Sequence, residues 1–282
     1  MDQAWTWGQD VPLRWLLIDD GSSGVDDSDV PLALCAEIDG LFVEPAPPPV
    51  PEQFTLIGCR PEPPLQALLE RRSARRRHLR AVIHAVDRSG RTVAMAKMVS
   101  ATVTGAGPSR LGTGLIDLIL DDGLYEPLPS GARAIWELWH IGRPIRPNLW
   151  AGYDRALRHQ WSGAALCHHP DGQPDRPAGG TYHLDGRFVT DIEGFYCALG
   201  EAINGPGGYF GWNLSALDDC LRGQWGAAPP FRLIWRDADV ARRHLVPGYD
   251  RPAYDQRSWG PAITLQDLLG IFTDRGAEVE LR

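Results

Sequence analysis

The sequence has one lysine, Lys97, no pair of cysteines spaced as CxxC, and no apolar run long enough to span a membrane. Its five cysteines are odd in number and widely spaced, which argues against the disulfide framework of a small secreted domain. The beginning of the chain shows no basic segment followed by the apolar stretch of a signal peptide. We therefore expect a soluble, cytoplasmic protein that does not bind membranes.

Familiar catalytic signatures are also missing. Residues 1–165 contain no G-x-S-x-G sequence, no phosphate-binding loop, no dinucleotide fingerprint and no HExxH sequence. These absences argue against the enzyme classes that the motifs mark. We predict a protein that is not an enzyme and that holds no cofactor.

The composition that is present suits two domains and a basic protein partner. The chain has 282 residues, 43% hydrophobic content and 11 tryptophans, which is material for two cores. Asp and Glu number 36 against 28 Lys and Arg, giving a formal net charge of −8. An acidic chain is not the expected form of a protein that coats nucleic acid through its phosphates, so direct nucleic-acid binding is disfavoured.

The first 165 residues are predicted to form a strand-rich α+β domain. Residues 21–29 are typical of a solvated acidic loop, and the prolines of residues 45–51 predict an extended spacer, because successive prolines fix φ and remove donors. Apolar stretches rich in Val, Ile and Thr, separated by turn sequences, predict strands. These strands cover residues 54–59, 79–86, 93–103 and 115–120.

An arginine-rich stretch between the first two strands allows two interpretations. Leu65, Leu68 and Leu69 have helical spacing, and six arginines follow within residues 71–80. We favour a solvated helix face over an RNA-binding patch, because no aromatic residue lies in the run to stack on a base.

Histidines and acids offer a second open alternative, a catalytic or sensing site in the N-terminal domain. Such a site would draw on residues that are scattered in the sequence: His78, His84, His140, His159, Glu70 and Glu137. Surface or hydrogen-bonded histidines are the favoured interpretation. The aromatic segment 132–161 is likewise interpreted as core packing or as docking onto the neighbouring domain.

Residues 166–180 are predicted to be a linker, because Pro, Gly and Asp are concentrated there without apolar periodicity. Cys167, His168 and His169 are adjacent and lack the usual ligand spacing, so we predict no metal site.

The remaining residues, 181–282, predict alternating strands and helices. Thr190 and Glu193 have the spacing of a capping box, followed by a helix to about residue 203. Asn213 is a predicted N-cap of a second helix that Gly223 ends. A strand at 231–235, a helix opened by Asp237 or Asp239, a helix closed by Gly276 and a last strand at 278–281 complete the order β-α-α-β-α-α-β. This order favours an α/β fold with a three-stranded parallel sheet.

The helix after Asn213 has two different faces. At 100° per residue its leucines, Leu214, Leu217 and Leu221, fall on one side. Ser215, Asp219 and Arg222 share the opposite, solvent side. From Phe188 to Leu221 the chain has five acids and no Lys or Arg, a pattern that would steer the segment toward a basic surface.

Three segments of this part, GGYFGWNLSALDDCLRG, FRLIWRDAD and LLGIFTDRGAEVEL, resemble the barstar family of ribonuclease inhibitors. The resemblance implies a helix and a preceding loop that enter a nuclease cleft, with Asp219 standing where the substrate phosphate would lie. It implies contact area from the loop aromatics Tyr209, Phe210 and Trp212, and Asn213 is expected to act more as cap than as contact. The predicted contacts on the helix are Ser215, Asp218, Asp219 and Arg222.

The function that follows is an intracellular inhibitor of a basic secreted ribonuclease or related nuclease toxin. The alternative is a docking module attached to an N-terminal sensing or catalytic domain. Ser215 stands where the family typically has an acid and Asp218 where it has an aromatic, which favours a target unlike the family's best-known one. Residues 246–262 form an insertion that is predicted either to make a second contact loop or to pack on the N-terminal domain.

Overall fold

A computed structural model of the chain describes residues 11–21, 30–44, 53–73, 77–121, 127–170, 172, 174–255 and 257–282. Nearly all of the predicted acidic loop at 21–29 and the whole proline spacer at 45–51 lie outside these residues. The chain divides into two compact units, Met1–Gly142 and Arg143–Arg282, here called the N-terminal and the C-terminal unit. Of the helices in the described part, none has the length and apolar character that crossing a bilayer requires.

The N-terminal unit is built around an antiparallel barrel. One sheet has the strand order β2-β1-β6-β7-β8-β5-β3, and β2 also pairs with β5, which closes six strands into a ring. Its strands are β1 Trp15–Asp19, β2 Pro31–Cys35, β3 Glu37–Asp39, β5 Gln53–Pro61, β6 His78–Val86, β7 Thr92–Pro108 and β8 Ile116–Asp121, while the short β4 Phe42–Val43 and β9 Leu128–Pro129 pair with each other. The strand-rich α+β prediction is confirmed, and the four predicted strands correspond to β5 to β8.

Leu65, Leu68 and Leu69 do lie in a helix, but the prediction that this helix continues into the arginines is wrong. Helix α1 covers only Pro63–Leu69, and Arg80 lies within β6, where its Nε is 2.9 Å from a carboxylate oxygen of Asp20. The cause is the sequence from His78 onward, in which buried and exposed residues alternate with the period of two that a strand requires. Arg75 and Arg76 lie outside the described residues.

Helix α2, Ala132–Ile141, packs two buried tryptophans, Trp136 and Trp139, into the same unit. His140 lies near its end, with Nδ1 2.6 Å from the carbonyl oxygen of Val86. Burial lowers the pKa of His140, so the neutral imidazole is the favoured form.

The C-terminal unit contains a parallel sheet of three strands in the order β10-β11-β14. Its elements are a 3-10 helix Leu149–Gly152, α3 Arg155–Cys167, β10 Thr181–Asp185, a 3-10 helix Gly186–Phe188, α4 Ile192–Asn204, α5 Leu214–Cys220, β11 Arg232–Arg236, α6 Ala238–His244, β12 Tyr249–Asp250, β13 Gly260–Pro261, α7 Leu265–Asp274 and β14 Glu278–Leu281. The predicted α/β arrangement is confirmed, and β12 and β13 add an antiparallel hairpin within the insertion.

The division between the units falls earlier than the predicted boundary at residue 165. Helix α3 packs on α4 and reaches Cys167, so it occupies the start of the predicted linker. Further along, Asp175 accepts hydrogen bonds from the backbone N–H groups of Gln224 (2.6 Å) and Gly226 (2.8 Å). Residues rich in Pro and Gly are therefore attached to the C-terminal unit, because a single carboxylate satisfies two backbone donors there.

The predicted capping box at Thr190 and Glu193 is also wrong. The N-cap of α4 is Asp191, which accepts from the backbone N–H of Gly194 at 2.7 Å. Glu193 is instead buried, with 4% of its surface exposed, and pairs with Arg155 of α3. Thr190 and Glu193 have the spacing of a capping box by coincidence, because an acid is also favoured in the first turn of a helix by the helix dipole.

Candidate functional site

The exposed helix α5 is set at its start by a side-chain cap. Asn213 has an extended backbone, and its Oδ1 accepts from the backbone N–H of Ala216 at 2.7 Å, as predicted. Gly211, two residues earlier, has a φ of +97°, and a Cβ at this position would lie 2.9 Å from the Cα of Leu217. The loop therefore crosses close above the helix that it leads into, and only glycine fits there.

The faces of α5 agree with the helical wheel except at Leu214, which is only half-buried. Leu217, Cys220 and Leu221 are buried against the unit. Ser215, Asp219 and Arg222 are exposed, and the Asp219 side chain keeps 62% of its surface accessible. Burial raises the pKa of the Cys220 thiol, so this neighbour of Asp219 stays uncharged.

Asp218 makes contacts within the unit that Asp219 does not make. Its carboxylate accepts two hydrogen bonds from the guanidinium of Arg275, at 2.6 and 2.7 Å, and one from Arg222 at 2.6 Å. These bonds lower the pKa of Asp218. Asp218 thus fastens α5 to the end of α7, and the predicted role as a free contact does not agree with its position.

Asp219 keeps its carboxylate available. The nearest cationic atom is Nη1 of Arg222 at 4.0 Å, beyond hydrogen-bond distance, and no described residue donates a hydrogen bond to it. Arg222 is instead held by Asp218. An exposed carboxylate on a fixed helix can accept several charge-assisted hydrogen bonds from an incoming cationic group.

Two of the predicted loop contacts need correction. Tyr209 is 4% exposed and Phe210 is fully buried, so neither offers surface to a partner. The Tyr209 ring packs against Trp225, at 5.3 Å between centroids, and against His169 at 6.4 Å. The sequence could not separate these aromatics from exposed ones, because a core position and a contact position favour the same residue types.

Trp212 is half-buried and stacks on a histidine from α3. The centroids of the Trp212 and His159 rings are 5.1 Å apart and the rings are inclined by only 5°. The indole also passes over Gly163, where a Cβ would lie 3.8 Å from its ring. Helix α3 therefore supports the entry to α5, although it precedes the part of the chain in which the resemblance was found.

Sequence reasoning missed the groups that hold the loops on both sides of α5. The Asn204 amide donates to the carbonyl oxygens of Tyr209 (2.7 Å) and Trp225 (2.8 Å). The Glu201 carboxylate accepts from the backbone N–H groups of Asn148 (2.8 Å) and Gly207 (3.3 Å), and burial raises its pKa. A polar residue on a helix face gives no sequence signal of the distant backbone groups that it satisfies.

Two of the residues considered for an N-terminal site line one pocket. His140 and Glu137 do so, together with Arg14, Trp15 and other residues of the N-terminal unit. His78 lies 3.3 Å from the Ser100 hydroxyl, and His159 belongs to the C-terminal unit. Within the described residues, no group of three His, Cys, Asp or Glu side chains is arranged to hold a metal ion.

Comparison with known proteins identifies the C-terminal part. The family model described as Barstar (barnase inhibitor) matches residues 180–251, so this part of the chain contains a barstar domain. The matched segment includes β10, α4, α5 and β11, and it ends within the insertion. No curated protein and no solved structure matches the chain.

Proposed function

We propose that the protein is an intracellular inhibitor of a ribonuclease, and that α5 enters the nuclease cleft with Asp219 at its centre. The family match to an inhibitor of barnase supports the class of partner. The cleft of such an enzyme presents cationic groups arranged for a phosphodiester. A carboxylate carried on a helix can accept hydrogen bonds from the same groups and exclude the substrate.

One observation carries the assignment of Asp219. Residues 188–221 hold five acids, and the fold commits four of them: Asp191 pairs with Arg158, Glu193 pairs with Arg155, the half-buried Glu201 accepts from two backbone N–H groups, and Asp218 pairs with Arg275 and Arg222. Asp219 is the remaining one and is the exposed one. The acidity of this segment thus leaves a single carboxylate for recognition.

Ser215, Trp212 and Arg222 complete the proposed contact surface around Asp219. Ser215 and Arg222 share its exposed face, and Trp212 stands at the helix entry. Arg222 would repel a nuclease that has an unpaired cation next to its phosphate-binding groups. The residue would therefore exclude such nucleases as targets. We propose a nuclease whose rim offers an acceptor or a carboxylate at this point.

Titration of secreted microbial ribonucleases, barnase among them, with the full chain tests the proposal. We expect stoichiometric loss of RNA cleavage for the cognate class, and Asp219→Asn should weaken binding at least about thirtyfold, because a desolvated cation would lose its partner. Asp239→Asn, which alters an exposed carboxylate on α6, is the matched control and should bind as the wild type does. Undiminished cleavage at saturating protein with every enzyme would refute the proposal.

A further inference from the structure

The insertion carries an exposed aromatic pair. Tyr249 of β12 and Trp259, next to β13, keep 79% and 66% of their surfaces accessible. Their rings stack at 5.9 Å between centroids with an inclination of 6°, and the guanidinium of Arg251 lies 5.8 Å from the Trp259 ring. Trp, Tyr and Arg are the residues that contribute most to binding energy at protein interfaces.

Two polar groups of the same insertion point toward the rest of the C-terminal unit. Asp250 pairs with Arg155 of α3, and the Tyr254 hydroxyl donates to Glu193 at 2.5 Å. Asp255 accepts from the backbone N–H groups of Arg257 and Ser258, at 2.9 and 3.2 Å, and so fixes the turn. Exposing a tryptophan adds nothing to folding, whereas a rigid loop that presents one is suited to binding.

A column of stacked rings connects the insertion to the entry of α5. Tyr254 stacks on His159, with centroids 4.5 Å apart. His159 in turn stacks on Trp212. All three rings are half-buried. We call these three rings and the Tyr249–Trp259 pair of the same insertion the aromatic strip, in which Trp212 directly precedes Asn213, the N-cap of α5.

Helix α5 alone is too small for a tight complex. A stable interface covers about 800 Å² on each partner and involves roughly 20 to 30 residues a side. The helix has seven residues, of which Ser215 and Asp219 are exposed, and the preceding Tyr209 and Phe210 are buried. A patch of that area has a radius of about 16 Å, which is more than the length of a seven-residue helix, about 10 Å.

We propose that the aromatic strip is a second contact surface for the same ribonuclease, with Tyr249 and Trp259 packing on the rim of the enzyme outside its catalytic cleft. This inference rests on the proposed function. The strip supplies apolar contact area, and Asp219 supplies the charge match with the active site. The partner surface that fits is an apolar patch bordered by an acid, which Arg251 would pair.

The test uses the full chain and the ribonuclease from the titration series that it inhibits, or barnase if several are inhibited. We expect Trp259→Ala and Tyr249→Ala each to weaken binding at least about tenfold, mainly through faster dissociation, with unchanged thermal midpoints. Ile145→Ala is the matched control, since Ile145 is 90% exposed, apolar and in the same unit but not in the strip. It should bind as the wild type does.

Each outcome is decisive. If Asp219→Asn weakens binding and the two aromatic variants do not, the second contact is refuted and the proposed function stands. If no ribonuclease binds the wild-type chain, both proposals fail. Binding of a single-stranded RNA oligonucleotide that is lost in Trp259→Ala and weakens with added salt would make the strip a base-stacking surface and would also refute the inference.

Discussion

Arg275, at the C-terminal end of α7, donates two hydrogen bonds to Asp218 of α5, at 2.6 and 2.7 Å. Because this bidentate pair lies beside Asp219, two adjacent acids have different tasks. One joins two helices, and the other faces solvent. Variants that remove the charge of Asp218 or of Asp219 should therefore show separately how each acid contributes to stability and to partner binding.

Asp218→Asn and Asp219→Asn should therefore have opposite signatures. The first should lower the thermal midpoint, since one amide cannot accept both bonds from Arg275, and it should affect nuclease binding only weakly. The second should leave the midpoint unchanged and weaken binding. Calorimetric melting and binding titration of both variants check this. Equal midpoints and equal affinities for the two would contradict the division of tasks.

Arg155→Ala should destabilise the chain by about 3 kcal/mol, because it leaves the buried Glu193 carboxylate without its cation. It also releases Asp250 and with it the insertion. Urea unfolding measures the change in free energy. Arg242→Ala, which breaks an exposed pair with Asp239, serves as control and should cost less than about 0.5 kcal/mol.

The contacts of α3 predict where the C-terminal unit can be separated. A fragment of residues 143–282 should give one cooperative thermal transition, whereas residues 181–282 should not. The shorter fragment lacks Arg155 and Arg158, the partners of Glu193 and Asp191, and it exposes the His159 side of Trp212. Circular dichroism melts of both fragments decide the point. A cooperative transition of equal midpoint in the shorter one would show that α3 is dispensable.

Acid should destabilise the protein. Hydrogen bonds from Arg275 and Arg222 lower the pKa of Asp218, and those from Arg155 lower the pKa of Asp250. A carboxyl group whose pKa is lowered by folding stabilises the fold above its unfolded value, 3.8, and this contribution is lost as the pH falls through the folded value. We expect the urea concentration at the midpoint of unfolding to fall when the pH is lowered below about 4, and to fall less in Asp218→Asn.

Glu201 should act in the opposite direction. Burial raises its pKa above the usual 4.5, so its contribution to stability is present below that value and is lost as the pH rises through the folded pKa. Glu201→Gln should remove this decline. Urea midpoints of wild type and variant, measured from pH 4 to 7, should converge at the acid end. A constant difference across the range would show that the charge of Glu201 has no part in it.

The sequence predicted those features that local chemistry determines. The Asn213 cap, the exposed side of α5 and the parallel order of β10, β11 and β14 follow from side-chain preference and from apolar periodicity. The misplaced features depend on distant partners. Tyr209 is buried because His169 and Trp225 cover it, and Asp218 is held because Arg275 of a later helix reaches it. No local pattern records such partners.

The Asn204 amide, which bonds to the carbonyl oxygens of both Tyr209 and Trp225, bears on how fast a complex forms. One side chain thus joins the segment before α5 to the segment after it. Gly226 passes so near that a Cβ there would lie 2.0 Å from the amide oxygen of Asn204. A displacement of the loops on either side of the helix would break these two hydrogen bonds. Because these bonds order both loops before a partner arrives, we expect association to be a rigid-body encounter whose rate depends on ionic strength and not on a preceding rearrangement.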